Sequence, residues 1–440
     1  MDLISKLPDE VLVHILAYLD TEEAISTSIL SKRRKDVWVY LPNLVFDIES
    51  PTHAILDSMD GILDRMKSPE VHVFTIVCKH IIRRGSIAKW IDNAFRLNAQ
   101  DIYLDVHSLE LPLSFFNFNS LTWLHLSSID SRSIRVPNVF CLPNLEYIRF
   151  FLINPHKELT EKLFRSCPNL EELHIRVTGH HEDQVYDISS SSLMLLDINL
   201  CGFSFNPPKV ILNVPNLDDI TIKETIGVDY VVRGPLSPIC AYISLQRCCL
   251  ELHSQEDGDR AHNLLNMLSQ SNSISFDDST TYMLSKYHLN NVPTFHHLNT
   301  LEMTIPRLCG WTYLFNVLES CRDLLVLTIT KDCNHYEDSP LSITDQIRDL
   351  PEDFDWTDPH TPPACLLSRL EEIVLIGYFW MNCDMKAIKY LLSNAKVLKS
   401  VSCRARRNGV KGEKAFWKEV DEYAKSLPSC SYEISFKDEE

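Results

Sequence analysis

Side chains able to do chemistry are scattered through this chain of 440 residues and form no recognisable catalytic motif. The stretch 180–183, His-His-Glu-Asp, is the one cluster of metal-ligand types, but adjacent residues on a loop rarely converge on one ion without ligands from elsewhere. None of the 17 histidines stands in an HExxH motif, and the 11 glycines leave no glycine-rich phosphate loop and no nucleophile elbow. We therefore predict that the chain is not an enzyme and holds no metal or other cofactor.

The composition of the chain argues against nucleic acid and membrane as partners. The 60 acidic and 42 basic side chains give a net charge of −18, which repels the phosphates of nucleic acid. The 14 cysteines show no CxxC spacing and are typical of the reduced, buried thiols of an intracellular protein. The apolar stretch 11–19 is too short to span a bilayer. We expect a soluble cytoplasmic or nuclear protein that binds neither nucleic acid nor membrane.

The first 47 residues contain short helices that could position an interaction surface. Pro8 suits a first helical turn because no N–H is needed there, and Asp9 and Glu10 favour the positive end of the helix dipole. A second helix is predicted after Asp20 and a third around Trp38. The apolar residues of the first helix share one face: Val11, Leu12, Ile15, Leu16 and Leu19. Helices this short cannot bury all their apolar groups, so a partner is expected.

Several motifs in this segment resemble the F-box of flowering-plant ubiquitin-ligase receptors: Leu7-Pro8-Asp9-Glu10, Ile15-Leu16, Thr27-Ser28-Ile29-Leu30-Ser31-Lys32-Arg33 and Trp38. The resemblance implies docking on a Skp-type adaptor, which joins the receptor to a cullin and a RING subunit. The adaptor-facing or F-box-core residues that it implies are Leu7, Pro8, Val11, Leu12, Ile15, Leu16, Leu19, Leu30 and Trp38. Arg34 departs from the pattern, because the family commonly has an aromatic residue there.

Beyond residue 47 the chain repeats an L-x-x-L-x-L pattern. The clearest copies are SLTWLHL at 120–126, NLEYIRF at 144–150, NLEELHI at 169–175, SLMLLDI at 192–198 and NLDDITI at 216–222. Their first leucines recur every 23 to 25 residues, at Leu121, Leu145, Leu170, Leu193 and Leu217. This period lies within the roughly 20 to 29 residues of leucine-rich repeats. Each copy predicts a strand whose apolar side chains point inward, so that stacked repeats build one continuous core.

Weaker copies extend the pattern from Ile102 upstream to Ile329 downstream, and helical spacing between copies predicts helices on the opposite side. The stretch 331–362 is acidic and proline-containing and predicts an irregular connection. The remainder resembles the FBD region of plant F-box proteins through Pro363-Ala364-Cys365-Leu366-Leu367, Leu370-Glu371, Gly377-Tyr378 and the run 390–399. We expect this region to close the repeat array, since a terminal repeat cannot leave its outer face apolar.

The predicted fold class is α/β. A three-helix F-box at 1–47 is followed by an irregular leucine-rich-repeat solenoid, a horseshoe, at 48–330, then by the connection 331–362 and the FBD unit 363–440. Residues between the inward leucines face the other side of each strand and form the candidate substrate surface. They are Trp123, His125, Tyr147, Arg149, Glu172, His174, Arg176, Asp197, Asn199, Asp219, Thr221 and Lys223.

The leading functional hypothesis is a substrate receptor of a Skp-cullin-F-box ubiquitin ligase. It would bind a Skp-type adaptor through the F-box and an unknown protein substrate through the repeats, and it would act by proximity. Two alternatives remain open at this point: a repeat-based scaffold not engaged in ubiquitination, which Arg34 suggests, and an F-box receptor that needs a small molecule.

Overall fold

The computed structural model describes residues 7–30, 34–130, 134–179, 184–202, 208–225, 227–234, 236, 238–246, 255–286, 292–306, 310–331, 356, 358–377, 379, 381–407, 413–425 and 431–438. The chain divides into two compact units. The first comprises Met1–Asn216 with Val231–Pro235, and the second comprises Leu217–Tyr230 with Leu236–Glu440.

The first unit is built on a parallel sheet. Its helices are α1 Asp9–Leu16, α2 Thr21–Ser26, α3 His53–Arg65, α4 Ser86–Arg96 and α5 Lys157–Lys162, with 3₁₀ helices at Thr27–Leu30, Arg34–Tyr40, Leu113–Asn117 and Phe164–Ser166. Its main strands are β1 Asn43–Asp47, β2 Val73–Cys78, β3 Asp101–Ser108, β4 Trp123–Asp130, β5 Tyr147–Ile153, β6 Glu172–Thr178 and β8 Leu195–Cys201, which neighbour one another in that order. Two further strands, β7 Val185–Ser189 and β9 Lys209–Asn213, pair in parallel with each other.

Strand pairing in the first unit places equivalent repeat residues side by side. Leu124 on β4 is paired with Ile102 on β3 and with Ile148 on β5, and the same row continues to Leu173 and Leu196. All five side chains are completely buried. A single repeat cannot enclose this apolar row, so the stacking of neighbours supplies the core. The strands predicted from the leucine spacing between residues 120 and 198 are therefore confirmed.

The N-terminal segment contains two α-helices and two 3₁₀ helices rather than three α-helices. The 3₁₀ helix Arg34–Tyr40 buries Trp38, whose indole N–H donates to the carbonyl of Lys35 at 3.0 Å. The segment leads without a linker into β1, because Asn43–Asp47 lies within the predicted F-box and already pairs with β2. The backbone N–H of Val45 on β1 donates to the hydroxyl of Thr21 on α2 at 2.8 Å. The helical segment thus covers the edge strand of the sheet.

The second unit also consists of parallel strands with helices between them. Its helices are α6 Gln255–Met267, α7 Asp278–Lys286, α8 Trp311–Glu319, α9 Ala364–Ser368, α10 Asn382–Asn394 and α11 Glu413–Lys425. Its strands, in the order in which they pair, are β10 Asp219–Thr225, β12 Cys240–Gln246, β13 Ser273–Phe276, β14 Thr300–Thr304, β15 Val326–Lys331, β16 Glu372–Gly377, β17 Ser400–Arg407 and β18 Ser431–Asp438. The short strand β11, Asp229–Val232, is divided between the two units, with Asp229 and Tyr230 in the second.

The chain after the predicted connection continues the repeat array. β16 pairs with β15 although most of the connection 331–362 separates them, and 332–355 lie outside the described residues. Gly377 is paired with Lys331 and has a φ of +105°. A Cβ at this glycine would overlap the carbonyl oxygen of Lys331, so only glycine fits the close approach of the two strands.

A buried ion pair joins α10 to the repeats of the second unit. Lys331 is 1% exposed and Asp384, in the first turn of α10, is 0% exposed, and the Lys331 ammonium pairs with Asp384 Oδ1. The indole N–H of Trp311 on α8 donates to the same oxygen at 3.0 Å, and the N–H of Met381 donates to Oδ2 at 3.1 Å. The two buried charges are tolerated here because they pair with each other and because Asp384 accepts two further hydrogen bonds.

Replacing Asp384 by Ala should lower the free energy of unfolding of the second unit by about 3–5 kcal/mol, because it leaves the Lys331 charge buried and unpaired. The measurement is urea unfolding, with hydrogen exchange of α10 and β15 to localise the loss. Glu371→Ala is the matched control. It removes a 2.6 Å ion pair to Lys399 that is exposed, and such pairs are worth about 0–1 kcal/mol. Equal losses in the two variants would contradict a stabilising role for the buried pair.

Candidate functional site

Helix α1 separates the predicted adaptor residues into a buried row and an exposed row. Leu12 is 4% exposed, and Leu16, one turn later, is also buried. Ile15 is 45% exposed, and Val11 and Leu19, four residues to either side, are exposed as well. Val11 and Ile15 are four residues apart in α1 and lie on one helix face, and Leu19 follows in the turn after the helix. We call these three residues the exposed apolar row. Leu12 and Leu16 instead belong to the core of the segment.

The other predicted adaptor residues divide in the same way. Pro8 is exposed at the N-cap of α1, Leu7 is half-buried, and Trp38 is buried beneath the guanidinium of Arg65, which lies 4.8 Å from the ring centroid. The side chains of Leu30 and Arg34 lie outside the described part of the chain. The predicted set therefore contains both surface and core residues.

Two strongly exposed apolar side chains were absent from the predicted set. Tyr18 is 80% exposed, with its ring edge-on to that of His14, and Ile29 is 87% exposed. Tyr18 follows Ile15 by three residues, so extension of the helical period by one step would have found it.

The exposed face of the first unit's sheet carries stacked rings. Trp123 on β4 and Tyr147 on β5 are paired in register, with ring centroids 5.1 Å apart and an interplanar angle of 7°. Tyr103 on β3 stacks on His125 at 4.2 Å and 3°. The ring of His174 on β6 lies 5.3 Å from that of Tyr147. We call these five residues the aromatic ladder.

Tyr103 was not among the predicted surface residues, because only the clear repeat copies were used to predict which residues are exposed. The upstream residues Ile102 and Leu104 were recognised as a weaker copy, and Tyr103 stands between them. The alternation of buried and exposed side chains along β3 would have placed it on the same face as Trp123.

His125 is the buried ionisable member of the aromatic ladder. It is 8% exposed, and burial, assisted by the positive charge of Arg149, lowers its pKa to about 4. Attraction from Asp105 opposes this shift but is weaker. Burial also raises the pKa of the Tyr147 hydroxyl. The neutral imidazole therefore acts as a flat ring in the stack at physiological pH.

Charged residues border the aromatic ladder on β5, β6 and β8. His174 lies 3.8 Å from Glu172 through Nε2 and 3.5 Å from Asp197 through Nδ1. Arg149 and Arg176 are exposed, and among the described residues neither forms an ion pair. The guanidinium of Arg176 lies 5.1 Å from the ring centroid of Phe151. Asn199 accepts a hydrogen bond from the Cys201 thiol at 3.0 Å.

The twelve predicted surface residues fall in both units. Nine lie on β4, β5, β6 and β8 of the first unit, and three lie on β10 of the second. Of these three, Asp219 is exposed, while Thr221 and Lys223 are half-buried. The ammonium of Lys223 lies 5.6 Å from the ring centroid of Tyr242 on β12. The aromatic ladder belongs to the first unit alone.

No group of three His, Cys, Asp or Glu side chains could hold a metal ion in the part of the chain that the structure describes. The cluster 180–183 lies outside the described residues. No described helix has the length and apolar character to cross a bilayer. A shallow cleft of about 250 Å³ opens at the carboxyl ends of β2 and β3, away from the aromatic ladder. Arg83 in its wall is already paired with Asp57 and Asp60.

Three family models match separate parts of the chain. The F-box domain matches residues 4–45, the leucine-rich repeats of the FBD-associated F-box protein At5g56370 match 87–237, and the FBD model matches 358–402. The first two ranges contain α1 with its exposed row and the strands β3–β8. The third contains α10 and Asp384. Fold and site thus define a leucine-rich-repeat protein with an N-terminal F-box segment.

Similar proteins are known from Arabidopsis thaliana. The chain is 28% identical to F-box/FBD/LRR-repeat protein At5g22660, over 92% of this chain and 90% of that protein. It is 26% identical to the putative F-box/FBD/LRR-repeat protein At4g13965, over 98% of this chain and 96% of that protein. The chain belongs to the plant F-box/LRR/FBD proteins. Such proteins are generally adaptors or receptors, and F-box domains generally bind Skp-type adaptors.

Replacing His125 by Phe should make the free energy of unfolding depend less on pH in the acid range. The variant keeps a ring stacked on Tyr103 but removes the group that binds the proton. The unfolded chain protonates His125 near pH 6.5, and the folded chain only near pH 4. The native chain should therefore lose stability relative to the variant as pH falls from about 6.5 to 4, and no further below 4. Urea midpoints measured across this range check it, and parallel curves would show that His125 titrates normally.

Proposed function

We propose that this protein is the substrate-recognition subunit of a Skp-cullin-F-box ubiquitin ligase. The observation that carries the proposal is the exposed apolar row of Val11, Ile15 and Leu19, in a segment that matches the F-box model. Leaving three large aliphatic side chains in water has no stabilising value for the isolated chain, whereas an adaptor surface would bury them. Tyr18 and Ile29 enlarge the apolar area available to the adaptor.

The proposed mechanism is proximity. An adaptor bound to α1 would connect the chain to the cullin and RING subunits, while the exposed strand face would hold a protein substrate. The receptor would raise the effective concentration of substrate lysines near the conjugating enzyme and would contribute no chemistry of its own. The hydrogen bond from Val45 to Thr21 supports this arrangement, because it ties the docking segment to the sheet of the same unit.

Adaptor binding should be lost when Ile15 is replaced by Asp. The variant would place a carboxylate in an apolar interface, and a cost of a few kcal/mol corresponds to a loss of affinity of at least about 50-fold. Ile55→Asp is the matched control, because Ile55 on α3 has the same side chain, is 40% exposed and lies outside the F-box match. Leu12→Asp is unsuitable because Leu12 is buried. Affinity for a purified Skp-type adaptor is the readout, and equal loss in both isoleucine variants would remove the basis of the proposal.

Receptor activity makes a second prediction in cells. Proteins labelled by proximity to both the Ile15→Asp and the Ile55→Asp forms should include substrates, and these should be more abundant in cells that express Ile15→Asp. Adaptor binding without any such stabilised protein would favour the scaffold alternative over the ligase receptor.

A further inference from the structure

The aromatic ladder is bordered by two cationic side chains. Arg149 on β5 and Arg176 on β6 are exposed, and within the described residues neither meets a carboxylate in an ion pair. Most other arginines described in this unit form an ion pair. For example, Arg65 pairs with Asp36 at 3.2 Å and Arg83 pairs with Asp60 at 3.0 Å. In a chain with a net charge of −18, these two guanidinium groups place positive charge on one sheet face.

Hydrogen-bond donors lie beside these arginines. Trp123 and Tyr147 stack on each other through their ring faces, so the polar groups at the ring edges take no part in the stacking. Among the described residues, neither the indole N–H of Trp123 nor the hydroxyl of Tyr147 forms a hydrogen bond. Trp, Tyr and Arg are also the residue types that dominate binding energy in protein interfaces.

Two carboxylates lie on the same strand face. Glu172 on β6 is paired in register with Tyr147, and Asp197 lies on β8; they approach His174 at 3.8 and 3.5 Å. Asp105 pairs with Lys79 and accepts a hydrogen bond from Ser127 at 2.9 Å. Among the described residues no carboxylate forms an ion pair with Arg149 or Arg176, so the positive charge is confined to these two side chains. They cover too small an area to follow the phosphates of a nucleic acid.

The spacing of the two arginines defines the partner. Phe151 is paired with Arg176, so Arg149 and Arg176 are offset by two residues along the strand and by one strand across the sheet. Their Cα atoms are thus about 8 Å apart. Acidic side chains two residues apart on an extended chain are separated by about 7 Å. Arginine pairs with carboxylate through two parallel hydrogen bonds when the geometry allows it.

We propose that the aromatic ladder with Arg149 and Arg176 binds an extended acidic segment of a partner protein, with an Asp/Glu-x-Asp/Glu pair on the two guanidinium groups. This inference rests on the proposed function, because it names the chemical class of the substrate segment that the receptor would hold. Backbone carbonyls of the bound segment would accept hydrogen bonds from Trp123 and Tyr147. Ring edges carry partial positive charge, so they favour the same acidic ligand.

The test uses the full chain, without adaptor, and a fluorescein-labelled peptide of alternating Glu and Ser as the probe. Peptides with Gln or Lys in place of Glu are the peptide controls. Anisotropy should show the Glu peptide binding at least tenfold more tightly than the Gln peptide, with affinity falling as salt rises. Arg149→Gln/Arg176→Gln should reduce the affinity at least tenfold.

Arg84→Gln/Arg135→Gln is the matched control variant, because it removes the same charge from two exposed arginines that lie off the strand face. It should change the affinity less than twofold. The inference would be overturned if the two double variants bound the Glu peptide equally well, or if the Glu peptide did not bind. It would also be overturned if the Lys peptide or a single-stranded oligonucleotide bound more tightly than the Glu peptide. Adaptor affinity of the Arg149→Gln/Arg176→Gln chain is measured separately and should be unchanged. If the chain preferred the Glu peptide over the Gln peptide but did not bind the adaptor, the acidic site would be supported and the ligase role would be refuted.

Discussion

In-register pairing of parallel strands is the constraint on which the rest of this protein depends. Because Leu124 must lie beside Ile102 and Ile148 to be buried, each residue between the buried positions is also placed beside its counterpart on the next strand. The aromatic ladder follows from this requirement, since Trp123 meets Tyr147 only if the apolar rows are aligned. One interaction therefore determines both the core and the surface.

Repeat strands could be predicted from the sequence because their leucines recur at a nearly constant interval. Strands β1 and β2 lack that signature and were not predicted, since Asn43–Asp47 looked like the end of a helical segment. Which apolar residues of α1 face solvent could not be predicted either. Leu12 and Ile15 lie on the same broad apolar stripe in the sequence, and only the packing of the segment separates buried from exposed. The sequence also could not show that Arg149 and Arg176 have no ion-pair partner among the described residues, because that depends on which side chains the fold brings near them.

The burial of Lys331 and Asp384 could not be predicted from the sequence for a different reason. The two residues are 53 positions apart, and neither has a sequence context that marks it as buried. Charged side chains are ordinarily exposed, so composition alone places both at the surface. Their burial makes the match of residues 358–402 to the FBD model physically meaningful, because α10 in that range contributes a charge that the preceding repeats need. The FBD segment is thus part of the second unit's core and not an appendage to it.

The hydrogen bond between Val45 and Thr21 has a geometric consequence. With the docking helices attached to the edge strand of the first unit, the position of a ligand on the sheet is counted in strands from that edge. Neighbouring strands are about 4.8 Å apart, so a segment held across β5 and β6 would lie about 20 Å from β1. A receptor of this design would choose among lysines by their distance from the bound segment, and the residues around each lysine would matter little.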